Sequence, residues 1–133
     1  MDKKGLIQNV DDNAQYRELL VCILEQQGFR TISAKDGREA VELAIEYQPG
    51  LVLMDLNMPR MNGYEATKAI HAHRLGRKIP IVAISADCSA YGFERCAFEL
   101  GFIAFLAKPF EPESLLNIVT KALTGDIKSR RAA

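Results

Sequence analysis

Short apolar runs alternate with amphipathic segments five times along the chain. Strands are predicted at residues 5–10, 29–34, 51–54, 80–84 and 102–106, in strand-like runs of four to six residues. Helices are predicted at residues 14–27, 37–47, 63–75 and 112–123, and one more ends at residue 101. Strands that alternate with helices predict one parallel sheet with right-handed crossovers and helices on both faces.

Capping residues set the predicted starts of the first three helices. Asn13 suits the N-cap of the first helix. Asp36 with Glu39, and Asn62 with Glu65, have the spacing of capping boxes for the second and third helices. The first helix is expected to bury one apolar face, made up of Tyr16, Leu19, Leu20, Ile23 and Leu24.

Length and charge limit the classes of function. The 133 residues fit a single domain, predicted at 1–125, and leave a polar tail at 126–133 that is expected to fray. Seventeen basic residues balance seventeen acidic ones, so no overall field favours direct binding of nucleic acid. The three cysteines form no C-x-x-C pair, and no run is long enough to insert into a membrane. A cytoplasmic protein is expected.

Chemically reactive side chains follow the predicted strands. Asp11 and Asp12 follow the first strand, Asp55 the third and Ser85 the fourth, and the fifth leads to Lys108. In open parallel sheets, ligands bind beyond the carboxyl ends of the strands. Clustered carboxylates favour a divalent cation such as Mg²⁺, and a lysine with a hydroxyl suits phosphoryl oxygens. Asp55 would then act as a nucleophile that forms an acyl phosphate.

Each of these residues also has an ordinary structural interpretation. Asp12 could cap the first helix together with its neighbour, and Asp55 could be a turn residue at a strand end. Ser85 could be another cap, and Lys108 a solvated loop charge. These explanations do not account for acids after the first and third strands together with a cation after the fifth.

Four motifs in order extend this interpretation to a family. They are Val-Asp-Asp-Asn at 10–13, Leu-Met-Asp-Leu-Asn-Met-Pro at 53–59, Met-Asn-Gly-Tyr-Glu-Ala-Thr at 61–67 and Ala-Lys-Pro-Phe at 107–110. Together they resemble the CheY-like receiver domain of two-component response regulators. The resemblance implies a flavodoxin-like, doubly wound sheet with strand order 2-1-3-4-5 and five helices. It also implies a phosphorelay protein that is not a conventional enzyme, although it catalyses its own phosphorylation and dephosphorylation.

The same resemblance implies a phosphoacceptor and a metal site. Asp55 would accept the phosphoryl group. Asp12, Asp55 and the backbone carbonyl of Asn57 would hold Mg²⁺ or Mn²⁺, and Asp11 would act from the outer shell.

Further roles follow from the resemblance alone. Ser85 and Lys108 would bind the phosphoryl group, and Ser85 with Phe105 would form the switch. The bond between Lys108 and Pro109 would be a cis peptide. Asn57 and Asp87 would tune the rate of dephosphorylation.

The implied partners are a histidine kinase or histidine phosphotransfer protein, and a downstream protein. The downstream protein would bind the face made by the fourth helix, fifth strand and fifth helix. A phosphorylation-independent receiver that acts only as an interaction module is the alternative. Gln8 and Asn9 leave it open, because the family usually has aliphatic residues in its first strand. A phosphatase of the haloacid dehalogenase type is disfavoured, since Asp55-Leu56-Asn57 lacks the second aspartate and follows the wrong strand.

Overall fold

The computed structural model describes residues 5–86 and 101–125, and these contain a five-stranded parallel sheet. The strands are β1 (Leu6–Val10), β2 (Arg30–Ala34), β3 (Leu51–Asp55), β4 (Ile81–Ser85) and β5 (Ala104–Ala107). Their order is β2-β1-β3-β4-β5, with every neighbouring pair parallel. The predicted fold class and strand order are therefore confirmed.

The helices of the described residues connect and cover these strands. They are α1 (Ala14–Gln26), α2 (Gly37–Tyr47), α3 (Gly63–Ala72) and the C-terminal helix (Pro112–Thr124). The fourth predicted helix, which ends at residue 101, falls mostly outside the described residues, as does the tail at 126–133. None of the described helices is both long and apolar enough to cross a membrane.

The helix starts follow the predicted capping residues, with one difference. The Asn13 side chain accepts a hydrogen bond from the backbone of Tyr16 at 3.1 Å. Asn62 caps α3 in a complete capping box. Asp36 caps α2, but the carboxylate of Glu39 accepts from the backbone of Lys35 instead of from the cap itself. Only half of that predicted box is formed.

Two apolar clusters fill the space between the sheet and its helices. One lies beneath α2 and α3 and includes Val10, Val52, Met54 and Phe102, and the other lies beneath α1 and the C-terminal helix and includes Ile7, Leu53 and Leu115. Side chains of β1 and β3 alternate between them, as the period of a strand requires. The continuously apolar β3 is thus explained by burial on both faces.

The expectation that Leu19 belongs to the buried face of α1 is wrong. Its side chain is 45% exposed, whereas Leu20, Ile23 and Leu24 are buried against the sheet. At 3.6 residues per turn, Leu19 points about 90° away from the centre of the buried stripe. A helix that packs on one face of a sheet buries only the stripe of its residues that faces the sheet. Leu19 lies outside that stripe and stays exposed.

The interior of β1 buries two amide side chains, Gln8 and Asn9, completely. The Gln8 amide donates to the carbonyl of Ala40 on α2 at 3.2 Å. Its oxygen, and both polar atoms of the Asn9 side chain, have no hydrogen-bond partner among residues 5–86 and 101–125. The two polar residues that set this strand apart from the usual aliphatic one therefore leave unpaired polar atoms in the described core.

Candidate functional site

The strand register brings the reactive side chains to one edge of the sheet. Val10 pairs with Met54, so that Asp11 and Asp55 come next to each other at the ends of β1 and β3. Asp55 in turn pairs with Ile84 of β4. Ser85 pairs with Ala107, immediately before Lys108.

These strand ends enclose an open crevice of about 330 Å³. Its walls are formed by Asp11, Asp12, Asn13, Tyr16, Asp55, Asn57, Ala86, Lys108 and Pro109. Among the described residues, Asp11, Asp12 and Asp55 form a carboxylate cluster in which one oxygen from each side chain lies within 4.8 Å of the other two. Asp11 and Asp55 are buried, while Asp12 faces solvent. The structure therefore brings together the three acids singled out in the sequence.

Both carboxylate oxygens of Asp11 are already bound by the protein. One accepts from the backbone of Asn13 at 2.9 Å, and the other accepts from the ammonium of Lys108 at 2.7 Å. The guanidinium of Arg17 donates to the Asp11 carbonyl at 2.7 Å. Asp11 is thus fixed in place at the base of α1.

Lys108 lies between two of the acids. Its ammonium is 2.7 Å from Asp11 and 3.8 Å from Asp55, and its side chain is only 11% exposed. Its backbone N–H donates to the carbonyl of Ser85 at 2.9 Å. The bond to Pro109, for which a cis geometry was expected, is cis.

The environment of Asp55 favours the protonated form of its carboxyl group. Burial, and then the neighbouring charge of Asp11, raise the pKa of Asp55 from its ordinary value of 3.8 to about 6. Lys108 and a hydrogen bond from the backbone of Asn57, at 3.2 Å, act in the opposite direction. The single charge of Lys108 therefore does not neutralise the three carboxylates, and the excess negative charge favours the binding of a further cation.

Ser85 and Asn57 meet across the crevice. Ser85 is buried at the end of β4, and its hydroxyl oxygen accepts from the side-chain amide of Asn57 at 3.3 Å. Phe105 on β5 is half-buried and packs against the apolar cluster beneath α2 and α3. Asp87 lies outside the described residues.

Gly63 determines how closely α3 approaches the site, a role that the sequence did not reveal. A Cβ atom there would overlap the backbone carbonyl of Asp55. The N–H of Gly63 also donates to the carbonyl of Leu56 at 3.2 Å. A side chain at this position would therefore displace the backbone that carries Asp55.

The sequence also did not indicate that two aromatic residues, Tyr16 and Phe110, lie beside Lys108. The ammonium lies 4.2 Å from the ring centroid of Tyr16, and that ring lies 6.2 Å from the ring of Phe110. Tyr16 was assigned only to the apolar face of α1. Its position in the first turn after Asp11 and Asp12 is the signal that could have placed it at the crevice.

Comparison with known proteins agrees with this geometry. The family model of the response regulator receiver domain matches residues 7–120. The chain belongs to this family. Receiver domains function in two-component signal transduction, and they are in general not conventional enzymes.

Curated relatives include proteins of different length. The polar-differentiation response regulator DivK of Brucella ovis is 32% identical over 117 residues, which cover 88% of this chain and 94% of DivK. The probable transcriptional regulator ycf29 of Pyropia yezoensis is also 32% identical, over 104 residues. These residues are 78% of this chain but only 46% of that protein.

A solved structure bears on the metal. The receiver domain of a sensor histidine kinase from Pseudomonas aeruginosa PAO1 has a TM-score of 0.82 and 32% identity to this chain, with 90% of this chain and 97% of that chain covered. It is described with a magnesium ion coordinated in its active-site cleft. In this chain the donor set, three carboxylates in one crevice, also fits a hard divalent cation.

Proposed function

We propose that this chain accepts a phosphoryl group on Asp55 from a histidine kinase or histidine phosphotransfer protein. The observation that carries the proposal is the position of the Asp55 carboxylate in the crevice. It is buried among two other carboxylates, with the Lys108 ammonium 3.8 Å away. Phosphoryl transfer requires positioning and neutralisation of charge more than it requires covalent chemistry by many groups. This crevice offers both.

Mg²⁺ is the metal that this donor set fits best, with Mn²⁺ as a substitute. Asp12, Asp55 and the backbone carbonyl of Asn57 would hold it. Asp11 would act from the outer shell, because both of its oxygens already accept hydrogen bonds from the protein. The ion would supply positive charge to the phosphoryl oxygens.

The transfer itself is a substitution at phosphorus. A carboxylate oxygen of Asp55 attacks the phosphorus of a phosphohistidine, and the bond between phosphorus and the imidazole nitrogen breaks. Its electron pair stays on the imidazole, and an acyl phosphate remains on Asp55. Lys108 and Ser85 would pair with the transferred oxygens. Asn57 and Asp87 would then set how fast water hydrolyses the acyl phosphate.

Signalling would follow from a change in packing near β5. If Ser85 turns toward the phosphoryl group, it leaves space beside β4 that Phe105 can enter, since Phe105 pairs in register with Ala83. The phosphoryl group biases this equilibrium only through its different interactions in the two packings. A downstream protein would bind the face made by the fourth predicted helix, β5 and the C-terminal helix. The side-chain rotamer of Phe105, with and without beryllofluoride, tests this switch.

The proposed domain spans residues 1–125, with 126–133 as a tail outside it. All the acids, Ser85 and Lys108 are retained within this domain. An interaction module that is never phosphorylated would not need this set.

Incubation with radiolabelled acetyl phosphate and Mg²⁺ tests the proposal. We expect label on the wild-type chain and none after Asp55→Asn or after removal of the metal. Asp12→Ala should also lose metal-dependent labelling while keeping the fold, as measured by circular dichroism. Asp36→Asn is the matched control, because Asn caps a helix as well as Asp does and Asp36 does not line the crevice. Normal labelling of Asp12→Ala would overturn the metal assignment.

A further inference from the structure

The ammonium of Lys108 is enclosed on several sides. Asp11 lies 2.7 Å from it, Asp55 lies 3.8 Å from it, and the ring centroid of Tyr16 lies 4.2 Å from it. A lysine side chain has four rotatable carbon–carbon bonds, and ordering it costs more side-chain entropy than ordering most other residues. The carboxylates attract the ammonium, and the ring of Tyr16 is a third group in contact with it.

The ring of Tyr16 is held at this place by the backbone. The backbone N–H of Tyr16 donates to the side chain of Asn13 at 3.1 Å, and the backbone N–H of Asn13 donates to the Asp11 carboxylate at 2.9 Å. The ring also contacts Phe110, tilted by 48° with 6.2 Å between centroids. The same short segment therefore fixes both Asp11 and the ring that contacts Lys108.

We propose that Tyr16 is a positioning residue for phosphoryl transfer, whose ring confines the Lys108 ammonium to the crevice. This inference rests on the proposed function of Asp55. A cation over an aromatic face is attracted by the negative face of the ring, and the attraction is stronger where water is partly excluded. At 11% exposure, the Lys108 side chain meets that condition. The ring thus keeps the ammonium where it can pair with a phosphoryl oxygen on Asp55.

The ring, and not the hydroxyl, carries this role. The hydroxyl of Tyr16 makes no hydrogen bond to any residue in 5–86 or 101–125, whereas the ring face contacts Lys108. A phenylalanine at position 16 should therefore keep Lys108 in place. A leucine should not, although it also packs well on an apolar surface.

The test compares initial rates of labelling by acetyl phosphate with Mg²⁺ in excess. Tyr16→Leu should be about three- to tenfold slower than the wild-type chain, and Tyr16→Phe should stay within about twofold of it. Tyr47→Leu, the same change at an exposed position at the end of α2, should have no effect. In a Lys108→Met chain, whose residual rate is lower, Tyr16→Leu should cause no further slowing.

A second readout does not depend on the reaction. The ring current of Tyr16 should shift the NMR signals of the Lys108 methylene protons in wild type and Tyr16→Phe, and this shift should be absent in Tyr16→Leu. Circular dichroism establishes that each variant is folded.

The outcomes separate this inference from the proposed function. If the wild-type chain is labelled but Tyr16→Leu is equally fast, the positioning role is wrong and the function of Asp55 stands. Equal slowing by Tyr16→Leu with and without Lys108 would also overturn it, because the effect would then be general to the fold. A wild-type chain that takes up no label would overturn the proposed function, and this inference with it.

Discussion

Polar side chains are buried in the interior of β1 and also just after its carboxyl end. The two regions differ in whether these side chains have hydrogen-bond partners. In the interior, Asn9 has no hydrogen-bond partner among the described residues, and Gln8 has one. At the end, Asp11 is equally buried, yet each of its carboxylate oxygens accepts a hydrogen bond. An unpaired buried polar group costs about 1–3 kcal/mol, which pairing largely removes.

This difference shows how to distinguish a buried polar side chain that belongs to a functional site from one that only weakens the core. The end of β1 is built around Asp11 by Lys108, Arg17 and the start of α1. Within residues 5–86 and 101–125, no comparable set of groups surrounds Asn9. The paired region should therefore lose stability when a partner is removed, and the unpaired region should gain stability when the polar group is removed.

The largest effect is expected from Lys108→Met. This change leaves the buried carboxylate of Asp11 without its cation and leaves Asp55 beside it unopposed. We expect the free energy of unfolding to fall by about 2–4 kcal/mol in urea at neutral pH without Mg²⁺. Lys121→Met, on an exposed position of the C-terminal helix, should change it by less than about 0.5 kcal/mol. An unchanged stability of Lys108→Met would mean that Asp11 is not held by this ion pair.

A smaller effect of opposite sign is expected from Asp55→Asn. The pKa of Asp55 is about 6 in the folded protein, above its ordinary value of 3.8, so the ionised carboxylate destabilises the fold. Each tenfold difference in proton affinity corresponds to about 1.4 kcal/mol. We expect the variant to be more stable than wild type by about 1–2 kcal/mol at about pH 8 without Mg²⁺, which is less than the full amount because the crevice is open to water.

The dependence on pH gives this prediction its sign. Below about pH 3, Asp55 is protonated in both the folded and the unfolded chain, so the variant should have no advantage. The penalty in wild type grows as pH rises from about 4 to about 6, and it is constant above that range. Urea unfolding of both proteins across this range measures the difference. An advantage of Asp55→Asn that was greatest at about pH 4 would contradict the account.

The smallest effect is expected inside β1. Asn9→Val should raise the free energy of unfolding by about 1 kcal/mol, because it removes two unpaired polar atoms from the core and suits a strand. Gln8→Leu should change it by less, since it removes the hydrogen bond to Ala40 together with one unpaired oxygen. Both variants should be phosphorylated like the wild type. A loss of stability in Asn9→Val would show that a buried water pairs with Asn9 in solution.

The sequence predicted the sheet and much of the site for the same physical reason. Alternating periodicity determines a parallel sheet, and the ends of parallel strands meet at one edge. Asp11, Asp55 and Lys108 could therefore be placed together from their positions after β1, β3 and β5. The sequence could not predict the exposure of Leu19, and the position of Tyr16 after Asp11 and Asp12 could indicate the crevice but not the contact with Lys108. Both depend on how α1 is rotated about its axis against the sheet, which packing decides.

The close approach of Gly63 to Asp55 is of the same kind. A glycine at the start of a helix has several ordinary explanations, and only the three-dimensional structure shows which backbone atoms a side chain would meet. Likewise, the spacing of Asp36 and Glu39 predicted a capping box, but the Glu39 rotamer directs its carboxylate to Lys35.

The most direct test of the account locates the phosphoryl group on the chain. An acyl phosphate on an aspartate is reduced by borohydride to homoserine, and mass spectrometry of the digested protein identifies the residue that has changed. After reaction with acetyl phosphate and Mg²⁺, we predict homoserine at position 55 in the wild-type chain and none in Asp55→Asn. Homoserine at position 11 or 12 instead, or no reduced residue in a chain that binds Mg²⁺, would contradict the assignment of Asp55 as the phosphoacceptor.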